Sequence, residues 1–392
     1  MKRLIKAMTI TILGYGFIVA CSKVEFSNVP NSNAGCTGSC LGTQGNGSYN
    51  YSYTTGSGQT DLLFVIDNSA SMSPIQASIG SKFPSLFNIV AGIDYHIGVV
   101  TTDISNIYDD SQTNSTNYPR NMLAGHPYFQ DGNLITMTDG SSFLTSASSN
   151  PMGQFNTAIN RNETVNCQNW LQAYCPDGGC DDQSSEYYDN CPSDQTRAIF
   201  ASVLNVQKNP AGFLRDASVP LNVVVISNAD ERAAGGQVPG YPLLTDDLPA
   251  TLLTTVQTQI PGKQLKVHSI IIQPGDSSCY NSQKNFDGDP AIFGWYAPVY
   301  QSLTSMTGGI QGTVCAADYS AQLASIAVSS TVDNGNRDLP CTPQNGVVNV
   351  TLSNGVIDGW QVTTGQSGTP ILVFNQPLPP GTTVTLQFQC AS

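Results

Sequence analysis

Leu62-Leu63-Phe64-Val65-Ile66 is an unbroken apolar run framed by two acidic residues, Asp61 and Asp67. A short run without polar alternation fits a strand covered on both faces, and such strands belong to parallel sheets sandwiched between helices. The chain then switches to helical spacing, with Ile75, Ile79, Phe83, Leu86, Phe87 and Val90 on one face. Pro74 suits a first turn and Pro84 predicts a kink or an early end. Residues 95–100 read as the next strand, and 221–226 and 265–272 as two further buried strands. Between those two, 247–260 reads as a helix with an acidic start, and 299–306 and 319–328 read as later helices. Strands alternating with helices imply crossover units on a mostly parallel sheet. The expectation is a three-layer, doubly wound α/β domain over residues 59–331.

Two segments depart from that scheme. Residues from about 105 to 193 are polar, carry four cysteines and read as an elaborated insertion. After residue 334, short strands at 347–352, 371–374 and 384–388 are separated by Gly/Pro turns, which predicts a small all-β domain over 335–392.

The N-terminus gives an address. Lys2, Arg3 and Lys6 precede an apolar run over 7–20. That run is shorter than the roughly 20 apolar residues of a membrane span and fits a signal peptide over residues 1–20. Ile18-Val19-Ala20-Cys21-Ser22 resembles a bacterial lipobox. The resemblance implies lipidation at Cys21, several acyl chains and anchoring in the bacterial cell envelope. Ser22, where Asp would imply inner-membrane retention, favours the outer membrane. Residues 21–58, rich in Ser, Asn, Gly and Tyr, read as a flexible tether.

Setting Cys21 aside leaves Cys36, Cys40, Cys167, Cys175, Cys180, Cys191, Cys279, Cys315, Cys341 and Cys390. An exported chain meets an oxidising compartment, so disulfides are expected. The expected pairs are Cys36–Cys40, Cys279–Cys315 and Cys341–Cys390, with pairing inside the central four. Zinc is the competing reading, but no CxxC pair or nearby His supports it. Asp177, Asp181, Asp182, Glu186 and Asp189 read as a solvated loop among the cysteines, and His96 and His268 as packed strand residues. A net charge of −13 argues against a nucleic-acid partner.

The chemistry concentrates in Asp67-Asn68-Ser69-Ala70-Ser71, directly after the first buried strand. In open α/β sheets ligands bind beyond the carboxyl ends of strands, at the switch point. One carboxylate and two hydroxyls are hard oxygen donors, suited to Mg²⁺ or Mn²⁺, with Ca²⁺ a further option. The competing reading is that these residues cap the following helix.

DxSxS in this setting resembles the metal-ion-dependent adhesion site of a von Willebrand factor A (vWA) domain. Val99-Val100-Thr101-Thr102-Asp103 and Thr307-Gly308-Gly309 through Val314-Cys315 to Tyr319 resemble bacterial secreted members of that family. The resemblance covers roughly 270 residues, within the reach of one α/β domain. It implies a vWA/Rossmann-like fold, a second-loop hydroxyl at Ser193 or Thr196, with Asp194 an outside candidate, and a third-loop Asp. The third-loop position is Asn228, which keeps an oxygen and loses the charge. Asp230 or Glu231 would have to compensate.

The function expected on that basis is a lipid-anchored surface or envelope protein, not an enzyme, binding a protein or glycan through a metal-bridged carboxylate. One alternative is a structural envelope protein with a degenerate metal site. Another is a metal-assisted hydrolase with Asp103, Asp230 or Glu231 as base. No GxSxG, GxxxxGK[ST] or HExxH motif is present.

Overall fold

The computed structural model describes residues 48–54, 58–105, 130–174, 185–193, 195–237, 242–261, 263–284 and 294–331 and, with short breaks, 337–391. The expected signal segment, the lipidation site Cys21 and residues Cys36, Cys40, Cys175 and Cys180 lie outside the described residues. In chain order the strands are β1 (Ser48–Thr54), β2 (Gln59–Ile66), β3 (Asp94–Thr101), β4 (Leu221–Ile226), β5 (Leu265–Ile271), β6 (Gln311–Thr313), β7 (Arg337–Asp338), β8 (Pro343–Leu352), β9 (Trp360–Thr364), β10 (Pro370–Phe374) and β11 (Thr383–Cys390). The helices are α1 (Ser73–Lys82), α2 (Pro84–Val90), α3 (Pro151–Ile159), α4 (Asn162–Tyr174), α5 (Ser185–Asn190), α6 (Ala198–Lys208), a single distorted turn α7 (Arg232–Gly235), α8 (Pro249–Gln259), α9 (Ser277–Lys284), α10 (Pro298–Met306) and α11 (Ser320–Thr331).

β2 to β6 form one all-parallel sheet in the order β3-β2-β4-β5-β6. The apolar run of β2 splits between two cores, as a doubly covered strand must. Leu62, Phe64 and Ile66 pack with α1, α2, α3 and α11, whereas Leu63 and Val65 pack with α6, α8 and α10. On the first face Phe155 stacks on Phe83 at 3.6 Å and meets Phe64 edge-on at 4.8 Å. The helical face read from residue 75 to 90 breaks at Pro84 into α1 and α2, because proline brings no N–H to the ladder. This is the expected three-layer α/β fold, with small antiparallel sheets following it.

The insertion has a structural task. Its residues cover the outer edge of β3: Ile97 and Leu144 exchange backbone hydrogen bonds at 2.9 and 2.8 Å, and Ile135 N–H donates to Val99 O at 2.8 Å. An edge covered in this way offers no template for pairing with another chain.

The expected tether needs one correction. Ser48–Thr54 is a strand, paired antiparallel with β11 over its whole length. Its sequence alternates Tyr with small polar residues, a period-two pattern without aliphatics. β1-β11-β8 and β7-β10-β9 are the two antiparallel sheets, around Leu339, Val348, Leu372, Phe374, Val384 and Leu386. Cys341 and Cys390 are bonded, as expected.

At the amino end of the parallel sheet, Asp61 is fully buried and neutralised twice. Lys263 Nζ donates to its Oδ2 at 2.9 Å and Arg215 Nε to its Oδ1 at 2.8 Å. His268 of β5 is also buried. Its Nδ1 accepts from Ile310 N–H at 2.9 Å, which leaves the proton on Nε2, 3.4 Å from Asn222 Oδ1. Burial, helped by nearby Lys266, pushes its pKa down to about 3. The folded state therefore rejects a proton that the unfolded chain accepts below about 6.5. Stability is expected to fall as pH drops from about 6.5 toward 3, by roughly 4 to 5 kcal/mol from this group at about 1.4 kcal/mol per unit. Urea unfolding of the parent and His268→Gln across that range checks it; parallel pH profiles would contradict it.

Candidate functional site

The site forms where β2 leaves the sheet between its two neighbours. Asp67 N–H still donates to Ile226 O of β4 at 3.0 Å, and Thr102 N–H donates to Ile66 O at 3.1 Å. Beyond this point Asp67 is fully buried. Its Oδ1 accepts from Ser69 N–H at 2.9 Å and its Oδ2 from the Ser227 hydroxyl at 2.6 Å. Burial raises the carboxyl above its ordinary range, while the hydrogen bonds from Ser227 and Ser69 pull the other way.

The motif serines do not cap a helix. Ser69 precedes the short 3-10 turn Ala70–Met72 and Met72 precedes α1, and neither end carries a side-chain cap. Instead Ser69 Oγ lies 3.2 Å from Ser71 Oγ, and Ser71 Oγ donates to Asn228 Oδ1 at 3.2 Å. The Asn228 amide is oriented by Gln283 Oε1, which accepts from Nδ2 at 3.1 Å. Gln283 lies on α9, held by the expected disulfide Cys279–Cys315. The structure thus joins Asp67, Ser69, Ser71 and Asn228 in one cluster of oxygens.

The remaining predicted residues divide. Ser193 N–H donates to Asp103 Oδ1 at 3.0 Å, and Asn68 Nδ2 donates to Asp103 Oδ2 at 2.9 Å, so Ser193 is tied to the motif loop through Asp103. The described contacts of Thr196 lie elsewhere. Its carbonyl accepts from Arg232 N–H at 3.0 Å and from the Tyr300 hydroxyl at 3.2 Å. Asp230 holds the start of α10, accepting from Val299 and Tyr300 N–H at 3.0 and 3.2 Å, and burial pushes its pKa up to about 7. Glu231 holds the start of α6 through Ile199 and Phe200 N–H at 2.9 and 3.3 Å. The carboxylates expected to compensate for Asn228 are engaged at helix N-termini, whose free N–H groups favour negative charge.

Sequence reasoning passed over Ser227, Asn68, Thr164 and Gln283, and weighed Asp103 only as a base. Asp103 left a signal. Ile66 pairs with Thr101, so Asp103 stands level with Asn68 at the carboxyl end of the adjacent strand. Burial raises its carboxyl well above the ordinary range, and the charges of Glu163 and Asp67 add to this. None of the described ion pairs involves Asp67 or Asp103. Among the described residues no three His, Cys, Asp or Glu side chains gather as a metal-binding group. The donors here are mainly hydroxyl and amide oxygens around single carboxylates.

The insertion braces this loop from beneath. Cys167 of α4 is bonded to Cys191, a pairing within the central four, with Cα atoms 4.6 Å apart. Ala70, between the two motif serines, is buried against both cysteines and Tyr187. The Thr164 hydroxyl, one turn earlier on α4, donates to Asn68 O at 2.7 Å. Gln76 Nε2 donates to Asp67 O at 2.8 Å.

No protein-family model matches this chain, and no curated protein matches it. Among solved structures it is similar to the pilus adhesin SpaC from Lactobacillus rhamnosus GG, at 10% identity and TM-score 0.30, over 88% of this chain and 41% of that one. It is similar to a human COPII-coat protein at 13% identity and TM-score 0.33, over 88% and 42% of the two chains. A manganese-loaded TRAP protein of Plasmodium vivax is similar at 11% identity and TM-score 0.25, over 66% and 75%. The chain spans less than half the length of the first two. Likeness at this level carries no functional inference.

Replacing Cys167 and Cys191 together by Ser is expected to lower unfolding free energy by about 3 kcal/mol. It is also expected to speed amide exchange at Ser69–Ser71 more than in the interior of β2. Unchanged exchange at the motif would show that the disulfide does not brace it.

Proposed function

We propose that this chain is a lipid-anchored protein of the bacterial envelope that holds a divalent cation, Mg²⁺ or Mn²⁺ with Ca²⁺ as a further option, and uses it to bind a carboxylate of a protein partner. The observation that carries this reading is the convergence of Ser69 Oγ, Ser71 Oγ and Asn228 Oδ1 beside a fully buried Asp67 with no described basic partner. A buried carboxylate without a counter-charge costs several kcal/mol. Folding therefore favours whatever neutralises it, a proton or a cation. The oxygen-only donor set fits a hard cation.

Asp67, Ser69, Ser71 and Asn228 would hold the ion, with Ser193, tied to the motif loop through Asp103, as the second-loop candidate. Thr196 and Asp230 shape the surrounding loops. The ion supplies an electrophilic centre to which an anionic group can bind. Asn228, being neutral, leaves more of the ion's charge for the partner, at the expense of affinity for the ion itself. The lipobox-like segment and the vWA resemblance favour the same reading, on an envelope surface facing a protein or glycan.

A second reading is a structural envelope protein without a cation. The closed hydrogen bonding of Ser69, Ser71 and Asn228 favours it, since those groups satisfy one another. Thermal unfolding separates the two. At a hundredfold excess over Kd, Mg²⁺ or Mn²⁺ is expected to stabilise the parent by about 2.7 kcal/mol, and Asp67→Ala to abolish the effect. A parent whose melting temperature ignores both ions would sink the cation reading.

A further inference from the structure

Resting on the cation reading above, we infer that Asp103 is the second negative charge of that site, acting through Asn68 as a positioning residue rather than as a direct ligand. With Asn228 neutral and Asp230 and Glu231 engaged at helix N-termini, the motif loop itself carries only the charge of Asp67.

Asp103 meets the need by its place in the sheet. It follows β3, level with Asn68, and is almost wholly buried. Among the described residues its carboxylate receives only neutral donors, Asn68 Nδ2 and Ser193 N–H. Glu163, the nearby acid, is already paired with Arg161 Nε at 2.7 Å. An independent observation points the same way. The Asn68 amide that donates to Asp103 has its own oxygen, Oδ1, buried and without a donor among the described residues. Buried polar atoms in native interiors are almost always satisfied. Here a bare amide oxygen belongs to the residue that ties the motif loop to Asp103, and no described basic side chain balances Asp67 or Asp103, so the place is short of a donor and of positive charge. A hydrated cation brings both. The asparagine side chain ties Asp103 to the motif loop, so the charge of Asp103 reaches the loop through a fixed dipole.

Residues outside a metal's direct ligands commonly change affinity 10- to 100-fold, and that is the range expected here. Isothermal titration of the whole chain with Mn²⁺ is the test, using Asp103→Asn, Asn228→Asp and the two combined. Asp103→Asn is expected to weaken Mn²⁺ binding by about 10- to 100-fold. Asn228→Asp in that background should recover most of the loss by returning a charge to the third loop. Without metal, Asp103→Asn should melt no lower than the parent, because the neutral amide replaces a buried acid that has no described counter-charge. A purely structural role predicts a lower metal-free melting temperature and no rescue. If the parent binds Mn²⁺ and Asp103→Asn binds it equally well, this inference is overturned while the cation reading stands. If the parent binds no Mn²⁺, the cation reading fails and this inference with it. Should Asp103→Asn not fold, Asn68→Ala replaces it, with a loss of about tenfold expected in a folded chain; unchanged affinity there also overturns the inference.

Discussion

The register of β2 between β3 and β4 is the constraint on which the rest depends. A strand apolar on both faces cannot fix its own register by burial, because a one-residue slip exchanges one apolar face for the other. The two aspartates at its ends supply what the apolar run lacks. Asp61 is locked to Lys263 and Arg215 at the amino end of the sheet. Asp67 is locked to the Ser227 hydroxyl at the carboxyl end. Each contact reaches across a strand or loop boundary and holds only in one alignment. That alignment brings the motif loop opposite Asn228, and the level of β3 brings Asp103 opposite Asn68.

The two ends of the sheet treat the same residue type in opposite ways. Asp61 is as buried as Asp67 but has two cations against it, so its charge is balanced within the fold. Asp67 and Asp103 receive hydroxyl and amide donors, which orient a carboxylate without neutralising it. Basic side chains were available nearby. Arg197 and Arg232, both buried, lie in the loops bordering the same end of the sheet, yet they converge on Asp247. Their pairing fixes the third loop in a demanding conformation, with φ of 56° at Arg232 and 66° at Ala233. Non-glycine residues in that region cost on the order of 1–3 kcal/mol each. The ion pairs therefore hold the loop that carries Asn228, and leave the charge of the motif itself unbalanced.

Much of the scaffold was legible because periodicity reports burial directly. The apolar run of β2, the helix broken at Pro84 and the strands ending at Ile226 and Ile271 all follow from it. β1 escaped because its alternation is Tyr against small polar residues, which composition alone makes look like a linker. β6 is three residues long, too short for any period to show. In the insertion, α3 and α4 have polar or mixed faces, and the edge cover at Leu144 is a single bridge without strand pattern. At the site, the motif could be read because its residues are adjacent in sequence. The partnership of Asp103 with Asn68 could not be read locally, since it exists only once β2 and β3 are set in register. The roles of Asp230 and Glu231 were hidden for a related reason: the helix N-termini they hold, at Val299 and Ile199, lie 69 and 32 residues away in sequence.

The insertion and the disulfides extend the same logic from the sheet to its loops. A loop carrying hydroxyl donors must be held still if its oxygens are to stay within reach of one another, because each contact by itself contributes only about 1 kcal/mol. Cys167–Cys191 packs against Ala70, and the same covalent link carries both Thr164, which holds Asn68 O, and the segment leading to Ser193, which holds Asp103. Cys279–Cys315 fixes the helix whose Gln283 turns the Asn228 amide oxygen toward Ser71. Each bridge thus acts on a different loop of the oxygen cluster, one on the motif loop and one on the third loop through Gln283. Hydrogen bonds this weak can define a site only where the backbone that bears them has lost its alternatives, and in this chain the sheet register and the two crosslinks remove them.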